Sequence, residues 1–205
     1  MKRYLALGGL MGPVIFTIIV VVCAGLRPDY SHVHSFISEL GAKGTPNDQL
    51  MNFAGFMPTG FLLTLFGIYL FVSLRNRLIS KVGSALMTVF GLGVIMAGIF
   101  SCDPGCPLGG STEAVIHDRV SAIAFNSAIL GVLLLGFSFG TPSEFRRLKF
   151  YSIISAVLAA IFLVAMISTF ETRNFTGIWQ RFLLLTIFAW TSVAGIHTFK
   201  KCQSS

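Results

Sequence analysis

Six stretches of this chain stay apolar for roughly 20 residues, the length an α-helix needs to cross a bilayer's hydrocarbon core of about 30 Å. They run approximately over 4–26, 50–74, 82–101, 115–140, 150–170 and 177–199. In lipid, an uninterrupted run of this kind can satisfy its backbone only as a helix. The ten-residue alternation of a transmembrane β-barrel is absent from the sequence. Only 11% of the 205 residues are charged, against about a quarter in water-soluble domains. Intrinsic disorder, a disulfide-dense secreted scaffold and a solenoid are excluded on the same grounds. The expectation is an all-α polytopic membrane protein: one domain over residues 1–205, built as a bundle of six transmembrane helices.

The cations set the expected orientation, because Lys and Arg close to span ends are retained in the cytoplasm. With the N-terminus inside, the inner side holds Lys2, Arg3, Arg75, Arg77, Lys81, Arg146, Arg147, Lys149, Lys200 and Lys201. The outer side keeps Arg27, Lys43, Arg119, Arg173 and Arg181, and it also holds every acid except Glu144. Both termini are therefore expected in the cytoplasm. The net charge of +7 is then a topology signal spread over short inner segments, and nucleic acid is not an expected partner. A cleaved signal peptide ending near Val22-Cys23-Ala24 is rejected, because the first apolar run is too long and its loss would leave an odd bundle.

Within the spans, Gly8-x-x-x-Gly12, Gly93-x-x-x-Ala97 and Gly136-x-x-x-Gly140 have the spacing that lets helices approach closely. They are expected to pack the bundle internally. Pro13 and Pro58 are expected to kink or break their helices.

Groups capable of acid, base or metal chemistry collect on the outer side. His197 and Cys202 lie near the inner end, apart from this group. In the first outer loop Val33, Phe36, Ile37 and Leu40 follow helical spacing between a capping Ser31 and a terminating Gly41. This predicts a short amphipathic helix lying on the membrane or plugging the bundle mouth, with His32, Ser35, Ser38 and Glu39 on its polar face. In the second outer loop, Cys102 and Cys106 bracket a Pro-Gly turn. A disulfide is the simplest reading for an oxidising exterior; a zinc site of Cys102, Cys106 and His117 is a weaker alternative, and free or redox-active thiols a third. His117, Asp118 and Ser121 share the outer end of the fourth span and have the makings of a general-base set, with Glu39 a further catalytic candidate. Arg181, about one turn into the sixth span, is expected to meet Glu39, Asp103 or Asp118. Trp179 is expected at the interface.

Several segments together resemble a known family. They are Gly12-Pro13-Val14, Leu26-Arg27-Pro28-Asp29-Tyr30-Ser31, Ser38-Glu39-Leu40-Gly41, Asn52, Phe100-Ser101-Cys102-Asp103-Pro104-Gly105-Cys106-Pro107, Ile116-His117-Asp118 and Gln180-Arg181. The chain resembles, over almost its whole length, the prokaryotic integral membrane proteins known as domain of unknown function 998. The resemblance implies a six-span fold in a bacterial or archaeal plasma membrane and carries no established reaction.

The leading functional expectation is an outward-facing site built from Glu39, Asn52, Asp103, His117, Asp118, Gln180 and Arg181. It would bind a membrane lipid head group or a small amphiphile, and no cofactor is called for. The alternative is a membrane-embedded lipid hydrolase or transferase, with or without metal. A small transporter ranks below these because the span centres are nearly charge-free. An assembly subunit leaves the clustered outer acids and histidines unexplained. Oligomeric state is not legible.

Overall fold

The computed structural model describes residues 2–74, 77–139 and 146–201. Arg75, Gly140, Glu144 and Cys202, named above, lie outside these ranges. The chain is 79% helical, and no strand occurs among the described residues. The long helices are α1 (Gly8–Gly25), α2 (Asp48–Ser73), α3 (Leu78–Ile99), α4 (Thr112–Ser138), α5 (Arg146–Ser168) and α6 (Thr176–Lys201). Each contains a stretch long and apolar enough to cross a membrane, and the protein is a multi-pass membrane protein.

Each helix packs on its neighbours in the chain, and α1 closes the set against α6. The arrangement is a ring in chain order, with the first loop folded over one end. Small residues make the seams. A methyl group on Gly60 of α2 would come within 2.6 Å of the Gly91 carbonyl oxygen of α3, and one on Gly93 within 2.6 Å of Ala124 in α4. Gly8 and Gly12 sit in the same way against Leu62 and Thr59 of α2, and Gly136 against Ser152 of α5. The sequence spacings thus mark close approach between helices of one chain. Between α5 and α6, Trp190 donates its indole N–H to the Ser152 hydroxyl at 2.8 Å, so the largest fully buried side chain leaves no polar group unsatisfied in the core.

Pro58 leaves its mark on α2. The turn before it, Met51–Phe56, is wound as a π-helix, which accommodates a residue that lacks an N–H and crowds the preceding turn. That wider turn carries Asn52. Helix α4 begins earlier than its apolar run suggests, because Ser111 accepts the Ala114 N–H at 3.2 Å and caps it.

Candidate functional site

The amphipathic helix expected in the first loop does not form as an α-helix. Only Ile37–Gly41 is helical, as a 3-10 turn, because the backbone on its N-terminal side is claimed by other partners. The Ile37 N–H donates to Gln180 Oε1 at 2.6 Å, the Phe36 N–H to Glu39 Oε1 at 2.9 Å, and the Tyr30 hydroxyl to the Phe36 carbonyl at 3.1 Å. Phe36 consequently stays extended. Phe36, Ile37 and Leu40 are buried, so the segment is a plug in the bundle mouth. Ser38 and Glu39 lie at the edge of that plug and His32 is exposed.

One cation ties this end of the molecule together. Arg173, between α5 and α6, pairs with Glu39 at 3.2 Å and donates to the carbonyls of Gly105 and Cys106 at 2.7 and 2.6 Å. Its guanidinium also lies 4.5 Å from the centre of the Phe36 ring and 5.1 Å from that of Phe170. The expectation that Arg181 pairs with Glu39, Asp103 or Asp118 is corrected. Arg181 donates to the Tyr30 hydroxyl, the Ser35 carbonyl and the Gly177 carbonyl, because Arg173 has taken Glu39 and the other two acids face elsewhere. Burial pushes the Tyr30 phenol up to about 12; the Glu39 charge adds to this, while Arg181 and Arg27 oppose it.

The second loop is self-contained. Asp103 accepts the Ser111 N–H at 2.7 Å and the Ser111 hydroxyl at 2.8 Å. These bonds, the backbone one foremost, hold its carboxyl below the usual carboxylate range. Glu113 reaches the Ser101 N–H at 3.1 Å and Lys43 at 3.0 Å. Cys102 and Cys106 face one another as a disulfide pair with Cα atoms 5.1 Å apart, both against Ser38. The turn requires left-handed backbone at Gly105 and at Cys106 itself, and the two carbonyls given to Arg173 lie at these residues. Among the described residues no three His, Cys, Asp or Glu side chains gather as a metal site requires. The zinc alternative of Cys102, Cys106 and His117 therefore has no geometry here: the sulfurs face each other and Ser38, and the imidazole turns to a carbonyl.

Asn52 is buried, donating to the Gly41 carbonyl and the Ser101 hydroxyl, both at 3.0 Å. Its Oδ1 is buried without a partner. Because the Gly41 carbonyl can only accept, the amide orientation follows from the bond. Asn52 thus joins the plug to the end of α3.

Beneath the plug lies a cavity of about 670 Å³ to which all six helices contribute. Phe16, Phe90, Val94, Leu184 and Phe188 make much of its wall, and most of its polar groups lie on the side toward the loops: His117, Asp118, Arg119, Ser121, Glu171 and Gln180, with Asn126 deeper on α4. His117 is buried, with Nδ1 2.7 Å from the Phe100 carbonyl oxygen. Since that oxygen only accepts, Nδ1 carries a proton, and in the singly protonated tautomer Nε2 is left as an acceptor. Asp118 takes the backbone N–H of Gly109. Exposed residues of α4 (Arg119, Ala122, Asn126) and α5 (Ile167, Ser168) also line the cavity. The cavity therefore reaches the lipid-facing surface between these helices, although they are in tight contact farther down at Gly136 and Ser152.

Of the residues singled out from the sequence, His117, Asp118 and Gln180 line this cavity; Glu39, Asn52 and Asp103 instead brace the loops above it. Arg181 faces a separate recess. Ser121, expected beside His117 and Asp118, also lines the cavity, and Arg119, Asn126 and Glu171 join it from α4 and the end of α5.

No curated protein and no solved structure matches the chain. A family model matches residues 10–197, nearly its whole length, and the chain belongs to the family described as protein of unknown function DUF998.

Proposed function

We propose that this protein binds an amphiphile in the plasma membrane of a bacterium or archaeon. Its loop end faces outward and both termini lie in the cytoplasm, as the cation distribution along the sequence requires. One observation carries the reading: the cavity is enclosed by all six helices, apolar in its depth, polar toward the loops, and open sideways to lipid between α4 and α5. Its volume of about 670 Å³ falls within the roughly 300–1,000 Å³ usual for small-molecule sites. On α6 the lining runs from Gln180 to Phe188, eight residues and so about 12 Å at the helical rise. A single acyl chain entering from the leaflet would lie along this depth, leaving its head group among His117, Asp118, Arg119 and Gln180.

The test is Ala122→Trp, which places a large ring at the lateral opening from an exposed position. Full-length protein purified in mild detergent is extracted and its bound amphiphiles measured by mass spectrometry. The expected result is a loss of at least tenfold, relative to wild type, of the amphiphile held in the central cavity at unchanged thermal stability, a lipid bound elsewhere on the protein being retained. An unchanged profile would overturn the reading.

The His117 tautomer favours a second reading, in which Nε2 takes a proton from water or a hydroxyl attacking an ester lipid. Ester-lipid turnover by the purified protein that disappears in His117→Gln is required for it; absence of turnover in wild type rejects it.

A further inference from the structure

A second apolar recess lies outside the ring, along the seam where α1 meets α6. Its volume is about 620 Å³, and it runs from His32 and Arg181 at the loop end past Ile18 and Leu185 to Pro13 and Ser192. From Arg181 to Ser192 is eleven residues, about 16 Å of helix at 1.5 Å per residue. Half of a hydrocarbon core of about 30 Å is about 15 Å, so the recess has the depth of one leaflet. Ile18 and Leu185 on its rim are more than half exposed among the described residues.

The head of this recess has a cationic excess. Arg181 donates only to uncharged acceptors, through three of its five N–H groups. Arg27, which also acts on Tyr30, donates to the Glu39 backbone carbonyl. Among the described residues the only ion pairs are Lys43 with Glu113 and Arg173 with Glu39. The acid nearest this group is therefore engaged elsewhere, and Asp29, exposed on the same turn, pairs with neither arginine. Tyr30 between the two guanidinium groups stays a neutral phenol. His32 stacks edge-on against it at 5.3 Å, and partial desolvation together with the Arg181 charge lowers its imidazole pKa. A guanidinium with spare donors at the edge of a bilayer favours a phosphate, which it can bind through two parallel hydrogen bonds.

We infer that the α1–α6 seam is a site for one anionic phospholipid, its phosphate on Arg181 beside His32 and one acyl chain laid down the recess to Ser192. The recess and the central cavity share Phe16, Ile37, Leu184 and Phe188 as walls but differ in their head groups and openings, and the experiment reads the two sites apart. A cationic head over an apolar seam between membrane helices selects by head-group charge, which a purely apolar seam does not do.

The experiment is native mass spectrometry of the full chain released from mild detergent containing equimolar phosphatidylglycerol and phosphatidylcholine of the same chain length. Wild type is expected to retain one phosphatidylglycerol with at least tenfold preference. Arg181→Gln is expected to abolish the preference, and Ala189→Trp, which fills the recess and leaves every head-group contact in place, to remove the bound lipid. Ala122→Trp at the central opening is expected to leave it bound. Absence of preference in wild type, its survival in Arg181→Gln, or loss of the lipid in Ala122→Trp would each overturn the inference. Should Arg181→Gln fail to fold, retention of the lipid in a folded Ala189→Trp protein overturns it equally.

Discussion

Arg173 illustrates how a side chain acquires its role from what surrounds it. Two of its nitrogens reach Glu39 and two backbone carbonyls, and its plane lies against Phe36 and Phe170. A lysine brings one charge but cannot reproduce a planar fork that bonds and stacks at once. Arg173→Ala is expected to cost about 2–3 kcal/mol, since it leaves a partly buried carboxylate unpaired. Arg173→Lys should recover less than half of that, and thermal unfolding in detergent measures both. Asp103 gives a pH-dependent counterpart. Its carboxyl is depressed by hydrogen bonds in the folded state, so its contribution is present above the ordinary carboxylate pKa and disappears as pH falls through the depressed one. The loss of thermal stability in Asp103→Asn should therefore be constant from pH 7 to about 5 and shrink below about pH 4. At this scale the sequence was legible only in part. The gathering of polar groups at one end follows from the helical spans, because alternate loops return to the same side. Which partner each acid takes does not, since Arg173 and Arg181 are both cations near the same carboxylates and only the folded distance to Glu39 separates them.

Among elements, the six spans were plain from apolar run length, a property of each segment taken alone. Their ends were less so: α3 starts at Leu78 and α4 at Thr112, outside the expected spans, and at α4 the start is set by the Ser111 cap. The first loop shows the opposite failure. Its apolar spacing was helical, and the same residues are buried, but backbone N–H groups donated to Gln180 and Glu39 leave a 3-10 turn instead. Periodicity identifies the face that is buried; it does not see a competing acceptor 143 residues away. The glycine seams were visible in part, through their four-residue spacing, whereas Gly60 and Gly91 belong to no such motif and are equally close. A Cβ on Gly60 would lie 2.5 Å from the Ile95 nitrogen, whereas one on Gly25 would have no neighbour within 4 Å. Gly60→Ala should destabilise by about 1–3 kcal/mol through overpacking. Gly25→Ala should be neutral or slightly stabilising, with thermal scans of the purified variants deciding.

For the whole molecule, orientation is the property most open to direct measurement. With the loop end outside, Lys43→Cys, whose side chain is 69% exposed, should react with a membrane-impermeant maleimide in intact cells. Leu78→Cys, at a residue 81% exposed on the opposite end, should react only after permeabilisation. The reverse pattern would invert the proposed topology. Fully buried Cys23 is not expected to contribute to labelling. Cys102 and Cys106 should label only after reduction if their pair is oxidised in the cell.

The ring itself accounts for the space at its centre. Six equal cylinders standing in a circle, each touching two neighbours, enclose room for a seventh of the same width. Beyond the midpoint of the helices that room is taken by Phe66, Leu70, Val132, Leu135 and Trp190, all buried to within 2%. Toward the loops, side chains fill it only partly, and the plug closes it from above. The protein is in effect a seven-column bundle in which half of the middle column has been left out, and whatever enters from between α4 and α5 occupies the position that a helix would otherwise have to fill.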